Sequence, residues 1–109
     1  MAARPAMEKT TQDLGTVSMR GGARLGQFNA TWPFARLTAD AKTLRLSVLG
    51  APLNFTRESV LELSAMRGYI SRGLQIRHAD KAYPERIIFW CFDLDALTAA
   101  LRRLGWTVS

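Results

Sequence analysis

The sequence predicts a mainly β domain, seven short strands closed into a barrel or sandwich and capped by one C-terminal α-helix. Three observations predict it. Apolar and polar residues alternate over short segments, most cleanly from Thr43 to Leu49, where Leu44, Leu46 and Val48 share one face and Arg45 and Ser47 the other. Turn formers, among them Gly21-Gly22, Asp40, Gly50, Gly68 and Pro84, punctuate the chain at intervals suited to short strands. The stretch from Arg86 to Gly105 reads as an apolar strand running straight into an amphipathic helix.

Taken in order, Met1 to about Leu14 is polar and without periodicity, and is expected to be a flexible leader to one domain spanning 15–109. Thr16 to Arg20 suits a short strand or arm, which Gly21-Gly22 should break. Ala23 to Phe28 is the expected first strand. Asn29 to Pro33 reads as a turn or bulge, since Pro33 bars a regular central strand. Phe34 to Ala39 is the second strand, with Ala35, Leu37 and Ala39 on one face. Thr43 to Leu49 is the third, and Pro52 to Phe55 the fourth, with Leu53 and Phe55 inward. Val60 to Met66 is the fifth, with Leu61, Leu63 and Ala65 facing one way. Leu74 to His78 is the sixth, with Leu74 and Ile76 inward.

Ile87 to Phe92 is the seventh strand. It is β-branched and aromatic, and its two apolar faces both call for cover. Asp93 suits a helix N-cap, Asp95 adds negative charge to the first turn, and Leu94, Leu97, Leu101 and Leu104 recur at helical spacing. Arg102 and Arg103 suit the negative end of the dipole, and Gly105 the position just past the helix. So short a helix cannot hide that leucine stripe alone and must bury it on the sheet, plugging one end of the barrel.

At 109 residues the chain is one domain with room for one core. Apolar residues make up 48% and charged residues 22%, an ordinary balance for a globular chain. No apolar run approaches the roughly 18 residues of a membrane span, and the first residues lack the apolar core of a secretory signal. A single cysteine, Cys91, excludes an internal disulfide framework. A cytoplasmic setting is the expectation. The net charge of +6 comes from 12 Arg and 3 Lys against 9 acids. These cations are scattered, with no run longer than Arg102-Arg103, so solvated charge accounts for them and nucleic acid is not an expected partner. The arginine and alanine bias suggests a bacterial source.

The order of seven strands and a capping helix resembles the pleckstrin-homology-like (PH/GRAM-like) fold over roughly residues 15–106. Asn29 to Leu37, and Ile87 to Trp90 with the helix to Gly105, are similar to small bacterial proteins of that fold whose function is unsettled. The resemblance implies a binding or scaffolding module and no enzyme. It departs from phosphoinositide-binding members in the first hairpin, where the turn between Arg24 and Arg36 carries no Lys or Arg. Two isolated arginines do not make an inositol-phosphate cradle, which needs several convergent donors.

The residues support no catalytic constellation. His78, the one histidine, is expected at the surface or a strand end, and Asp80 beside it does not make it a general base. Cys91 lies in an apolar run, where burial as an inert thiol is the plainer reading. No metal, no cofactor and no phosphate loop are expected. Two binding candidates follow. Arg67, Tyr69, Ile70 and Arg72 form a loop with an apolar tip between arginines, suited to a ligand or an anionic membrane surface. Val60, Glu62 and Ser64 lie on an edge to which a peptide could add. Trp32 and Trp106 read as packing residues. Protein or peptide binding, self-association included, ranks ahead of weak anionic-lipid contact.

Overall fold

Seven strands and the predicted helix are present in the computed structural model, although the expected first strand Ala23–Phe28 holds a turn at Gly26-Gln27; the described residues are 15–67 and 72–109, with Arg67 described by its backbone alone. The expected leader, and Tyr69 and Ile70, lie outside the described residues. The elements are β1 (Val17–Leu25), β2 (Phe28–Ala39), β3 (Thr43–Val48), β4 (Ala51–Thr56), β5 (Val60–Arg67), β6 (Arg72–His78), β7 (Arg86–Trp90) and α1 (Leu94–Arg103). They form one antiparallel seven-stranded sheet in the order β4-β3-β2-β1-β7-β6-β5, curled into a half-barrel around the core. No helix among the described residues is long and apolar enough to cross a membrane.

The alternating segments behave as their periodicity requires. Leu44, Leu46 and Val48 of β3, Leu53 and Phe55 of β4, and Ala35, Leu37 and Ala39 of β2 are buried on the concave side, where Leu74, Ile76, Ile87 and Phe89 meet them. The outward residues of β7 are covered too, Ile88 fully and Trp90 in part. The helix completes the core. Asp93 Oδ1 accepts a hydrogen bond from the Ala96 N–H at 3.0 Å, so the N-cap is made as expected. Leu94, Leu97 and Leu101 are fully buried against β1 and β6, with Leu104 partly so. Gly105 ends the helix at φ +98°. Each buried leucine contributes about 1.5–3 kcal/mol, so α1 is integral to the domain.

The half-barrel is laced across its open side, between β4 and the β5–β6 hairpin. Phe55, His78 and Tyr83 pack their rings together, with centroids 4.9 Å apart for Phe55–His78 and 5.3 Å for Phe55–Tyr83. Tyr83 Oη accepts from the N–H of Asn54 on the β4 edge at 3.2 Å. Arg57 donates to the carbonyls of Ala41 (2.9 Å) and Gly105 (2.7 Å), and its guanidinium lies 4.7 Å over the Trp106 ring. The Trp106 indole donates to the Asp40 carbonyl at 2.7 Å.

Three expectations are corrected. β1 does not break at Gly21-Gly22 but runs through it, and the first turn falls at Gly26-Gln27. Asn29 to Pro33 is part of β2 and not a turn. The two corrections have one cause. Between the pairs Gly21–Ala35 and Ala23–Ala30, the four residues Thr31–Phe34 stand opposite Gly22 alone. This is an enlarged β-bulge, and it contains the cis Trp32–Pro33 bond. A Cβ on Gly22 would lie 2.6 Å from the Ala30 carbonyl oxygen, and one on Gly21 would collide with the Trp90 carbonyl. These glycines permit close approach instead of ending the strand. Leu61, expected inward, is exposed, because a register shift between Val60 and Glu62 turns it out.

Candidate docking surface

The bulge has a surface consequence. Released from the ladder, Trp32 and Phe34 stand 50% and 55% exposed. Phe92 is 80% exposed, because β7 stops at Trp90 and does not continue to Phe92 as its apolar run suggests. Its ring meets that of Trp32 at 5.4 Å. Trp32 is therefore a surface residue, whereas Trp106 is the packing residue both were expected to be.

Leu49 joins this set from the neighbouring hairpin. It is 61% exposed at the β3–β4 turn, where its N–H donates to the Phe34 carbonyl at 2.9 Å. Leu49 (φ 53°) and Gly50 (φ 85°) are both left-handed, the geometry of a two-residue hairpin turn that favours Asn-Gly. A leucine there is held in an unfavourable backbone conformation with most of its side chain in water. Phe34 and Leu49 form two walls of an open groove of about 540 Å³, completed by Arg20, Pro33, Ala35, Arg36, Ser47 and Gly50.

The outer face of β1 to β3 continues from this apolar cluster as a cationic surface. Arg20 and Arg36 are directly opposed across the β1–β2 ladder, and Arg45 stands on β3, opposite Thr38. Arg36 donates to Ser18 Oγ at 2.9 Å and Arg45 to Asn54 Oδ1 at 2.8 Å, both neutral acceptors. None of the three is in an ion pair among the described residues, where the pairs are Arg72–Asp95 and Arg77–Glu62. Asp40 is the acid of the β2–β3 turn, and its Oδ1 is engaged within that turn. It accepts from the N–H groups of Lys42 and Thr43, both at 2.8 Å, and these bonds hold its carboxyl below the ordinary value of 3.8.

The residues singled out from the sequence fall elsewhere. Arg72 opens β6, pairs with Asp95 at 3.3 Å and offers its carbonyl to the Cys91 N–H. Arg67 ends β5, while Tyr69 and Ile70 are outside the described residues. Val60, Glu62 and Ser64 lie on β5, but that edge is not bare. The Ser109 N–H donates to the Leu63 carbonyl and the Ala65 N–H to the Ser109 carbonyl, at 2.9 and 2.8 Å. The tail so docked makes a parallel bridge from Val108 to Leu63, and Ser64 Oγ meets Ser109 Oγ at 3.2 Å. Glu62 is paired with Arg77, and Val60 packs against the core. The chain itself fills the middle of the edge assigned to a peptide.

The candidate catalytic groups are tied up. His78 ends β6, one of the two places expected of it, and is buried there under Phe55 and Tyr83. Its Nδ1 accepts from the Asp80 N–H at 3.1 Å, which puts the proton on Nε2, donated to the Pro84 carbonyl at 2.7 Å. Burial pushes the Cys91 thiol up to about 11. Among the described residues no three His, Cys, Asp or Glu side chains come together as a metal-ligating group. No protein-family model matches this chain, and a search of curated proteins found no match.

Proposed function

We propose that this chain is a non-catalytic docking domain of pleckstrin-homology-like architecture, and that it rests on an anionic membrane surface with its Trp32–Phe92 cluster inserted. One observation carries the reading. Four large apolar side chains, Trp32, Phe34, Leu49 and Phe92, project where the bulge, the β3–β4 turn and the end of β7 converge on Gly21–Gly22 of β1, beside an outer face bearing Arg20, Arg36 and Arg45 and, among the described residues, no ion-paired acid. Projecting aromatics suit the headgroup boundary, and adjacent cations meet lipid phosphates. The strand order and the C-terminal helix support the architecture.

Three arginines near such a surface contribute roughly 3 kcal/mol, at about 1 kcal/mol each. Burial of partly exposed apolar side chains adds a comparable amount at about 25 cal/mol per Å². The sum is about 6 kcal/mol, a reversible association in the range of tens of micromolar. The cytoplasmic leaflet is the anionic one, which agrees with a cytoplasmic setting. A peptide on the β5 edge is the weaker reading, since the docked tail holds that edge.

Co-sedimentation with neutral phosphatidylcholine vesicles and with vesicles enriched in phosphatidylglycerol, at low and physiological salt, tests the proposal. The protein pellets with the anionic vesicles, less so as salt screens the exposed charges, and the double variant Trp32→Ser/Phe92→Ser stays in solution. Absence of binding at low salt, or binding indifferent to that double variant, overturns the reading and assigns the surface to a protein partner.

A further inference from the structure

Within the docking face, the groove between Phe34 and Leu49 has a chemistry of its own. Its cationic members, Arg20 and Arg36, are direct cross-strand neighbours. Like charges directly opposed on a sheet are unfavourable, and here no carboxylate among the described residues relieves them. Arg36 is steadied by its bond to Ser18 Oγ, which uses Nη1 and leaves the other donors of the guanidinium fork. The side chain of Arg20 has no hydrogen-bond partner among the described residues. Ser47, opposite Arg36 on β3, adds a hydroxyl to the groove. Two guanidinium groups converging with a hydroxyl, in a groove of about 540 Å³ whose other walls are apolar, form a receptor for one tetrahedral dianion.

We propose that Arg20 and Arg36, with Ser47, bind a single phosphate group, free or as the phosphomonoester headgroup of a lipid. The site is too small in donors for an inositol polyphosphate. Phosphate oxygens take the guanidinium donors of both arginines, and the bound charge removes their mutual repulsion. Phe34 and Leu49 wall the groove on either side. For the lipid source the inference rests on the docking reading above, whereas binding of free phosphate does not.

The test is a titration of the isotope-labelled full chain, followed by backbone NMR, with inorganic phosphate and separately with phosphatidate vesicles, at constant ionic strength. Phosphate is expected to shift the amides of Arg20, Phe34, Arg36, Ser47 and Leu49 along one saturable curve. Arg20→Gln with Arg36→Gln weakens it at least about tenfold. Arg86→Gln with Arg103→Gln, an equal loss of charge elsewhere, moves it by less than about twofold. The single variant Arg20→Gln, which removes no hydrogen bond seen in the structure, gives an intermediate loss and guards against a folding defect in the double variant. Shifts that never saturate and spread over remote arginines, or equal effects of the two double variants, overturn the site. Saturable phosphate binding without vesicle binding keeps the groove, makes free phosphate its ligand and removes the docking reading. Salt-sensitive vesicle binding that weakens with Arg20→Gln/Arg36→Gln, with no phosphate-induced shifts, removes the groove and leaves docking intact.

Discussion

Substituting Leu49 separates what the fold needs from what the surface needs. At φ 53° an L-residue with a bulky side chain loses about 1–2 kcal/mol relative to the right-handed region. Asn is far better tolerated there, because its short amide bonds to nearby backbone. Against that gain stands the packing of the leucine side chain. A wholly buried leucine contributes about 1.5–3 kcal/mol, but Leu49 is 61% exposed, so under about 1 kcal/mol of that applies. Leu49→Asn should therefore stabilise the domain by about 0.5–1 kcal/mol, raising Tm by about 2–8 °C at this chain length. Membrane docking should move the other way, since one inserting side chain is lost. A loss of about 1 kcal/mol weakens vesicle binding roughly fivefold. Thermal unfolding and vesicle co-sedimentation on the same preparation read both. A lower Tm would show that the leucine contributes more by packing than its backbone costs. A higher Tm with unchanged vesicle binding would show that the side chain is not part of the docking surface.

Two further outcomes follow from the closure of the half-barrel. Arg57→Ala removes two hydrogen bonds to carbonyls and the cation over Trp106, and should destabilise by about 2–4 kcal/mol, read as a lower urea midpoint with an unchanged slope. Asp40 contributes through its ionised form, because the Lys42 and Thr43 N–H bonds depress its folded value. Its stabilisation is present above about pH 4 and is lost as pH falls through the lowered value. Urea midpoints of the wild type and Asp40→Ala should therefore differ at pH 7 and converge as pH falls below the usual carboxylate range, and a gap that persists in strong acid would refute this.

Local signals were legible wherever one residue's environment is set by its chain neighbours. The alternation of Thr43–Val48 placed Leu44, Leu46 and Val48 correctly, and Asp93, the leucine stripe and Gly105 marked both ends of α1. The misreadings share a cause. Gly21, Gly22 and Pro33 are breakers by local chemistry, yet here Gly22 and Pro33 serve a bulge in the pairing with β2, and Gly21 admits β7, a strand distant in sequence. Leu61 and Phe92 look like core by composition, and a register shift and an early strand end turn them out. The docking surface was illegible for the same reason. Residues near 20, 32–36, 47–49 and 92 meet only through the β1–β2, β2–β3 and β1–β7 registers, so cations that are scattered along the chain gather on one face. The tail on β5 is a single bridge, too short to leave a periodic trace.

The strand order carries a consequence for how the domain comes together. β1 to β4 form one meander and β5 to β7 another, so each has only strands nearby in sequence to find. The two halves meet at a single seam, where Gly22 to Leu25 of β1 pair with Ile87 to Trp90 of β7. That seam closes most of the chain into one loop, and long-range closure is the slow part of assembling a sheet. During synthesis it cannot form until residue 90 has left the ribosome. Until then, β1 exposes a naked edge in what will be the middle of the sheet. The glycines that later seat the bulge also keep that edge poor in side chains, which makes it a ready partner for β7 of another copy. Crowded refolding should therefore favour seam-exchanged dimers over disordered aggregates.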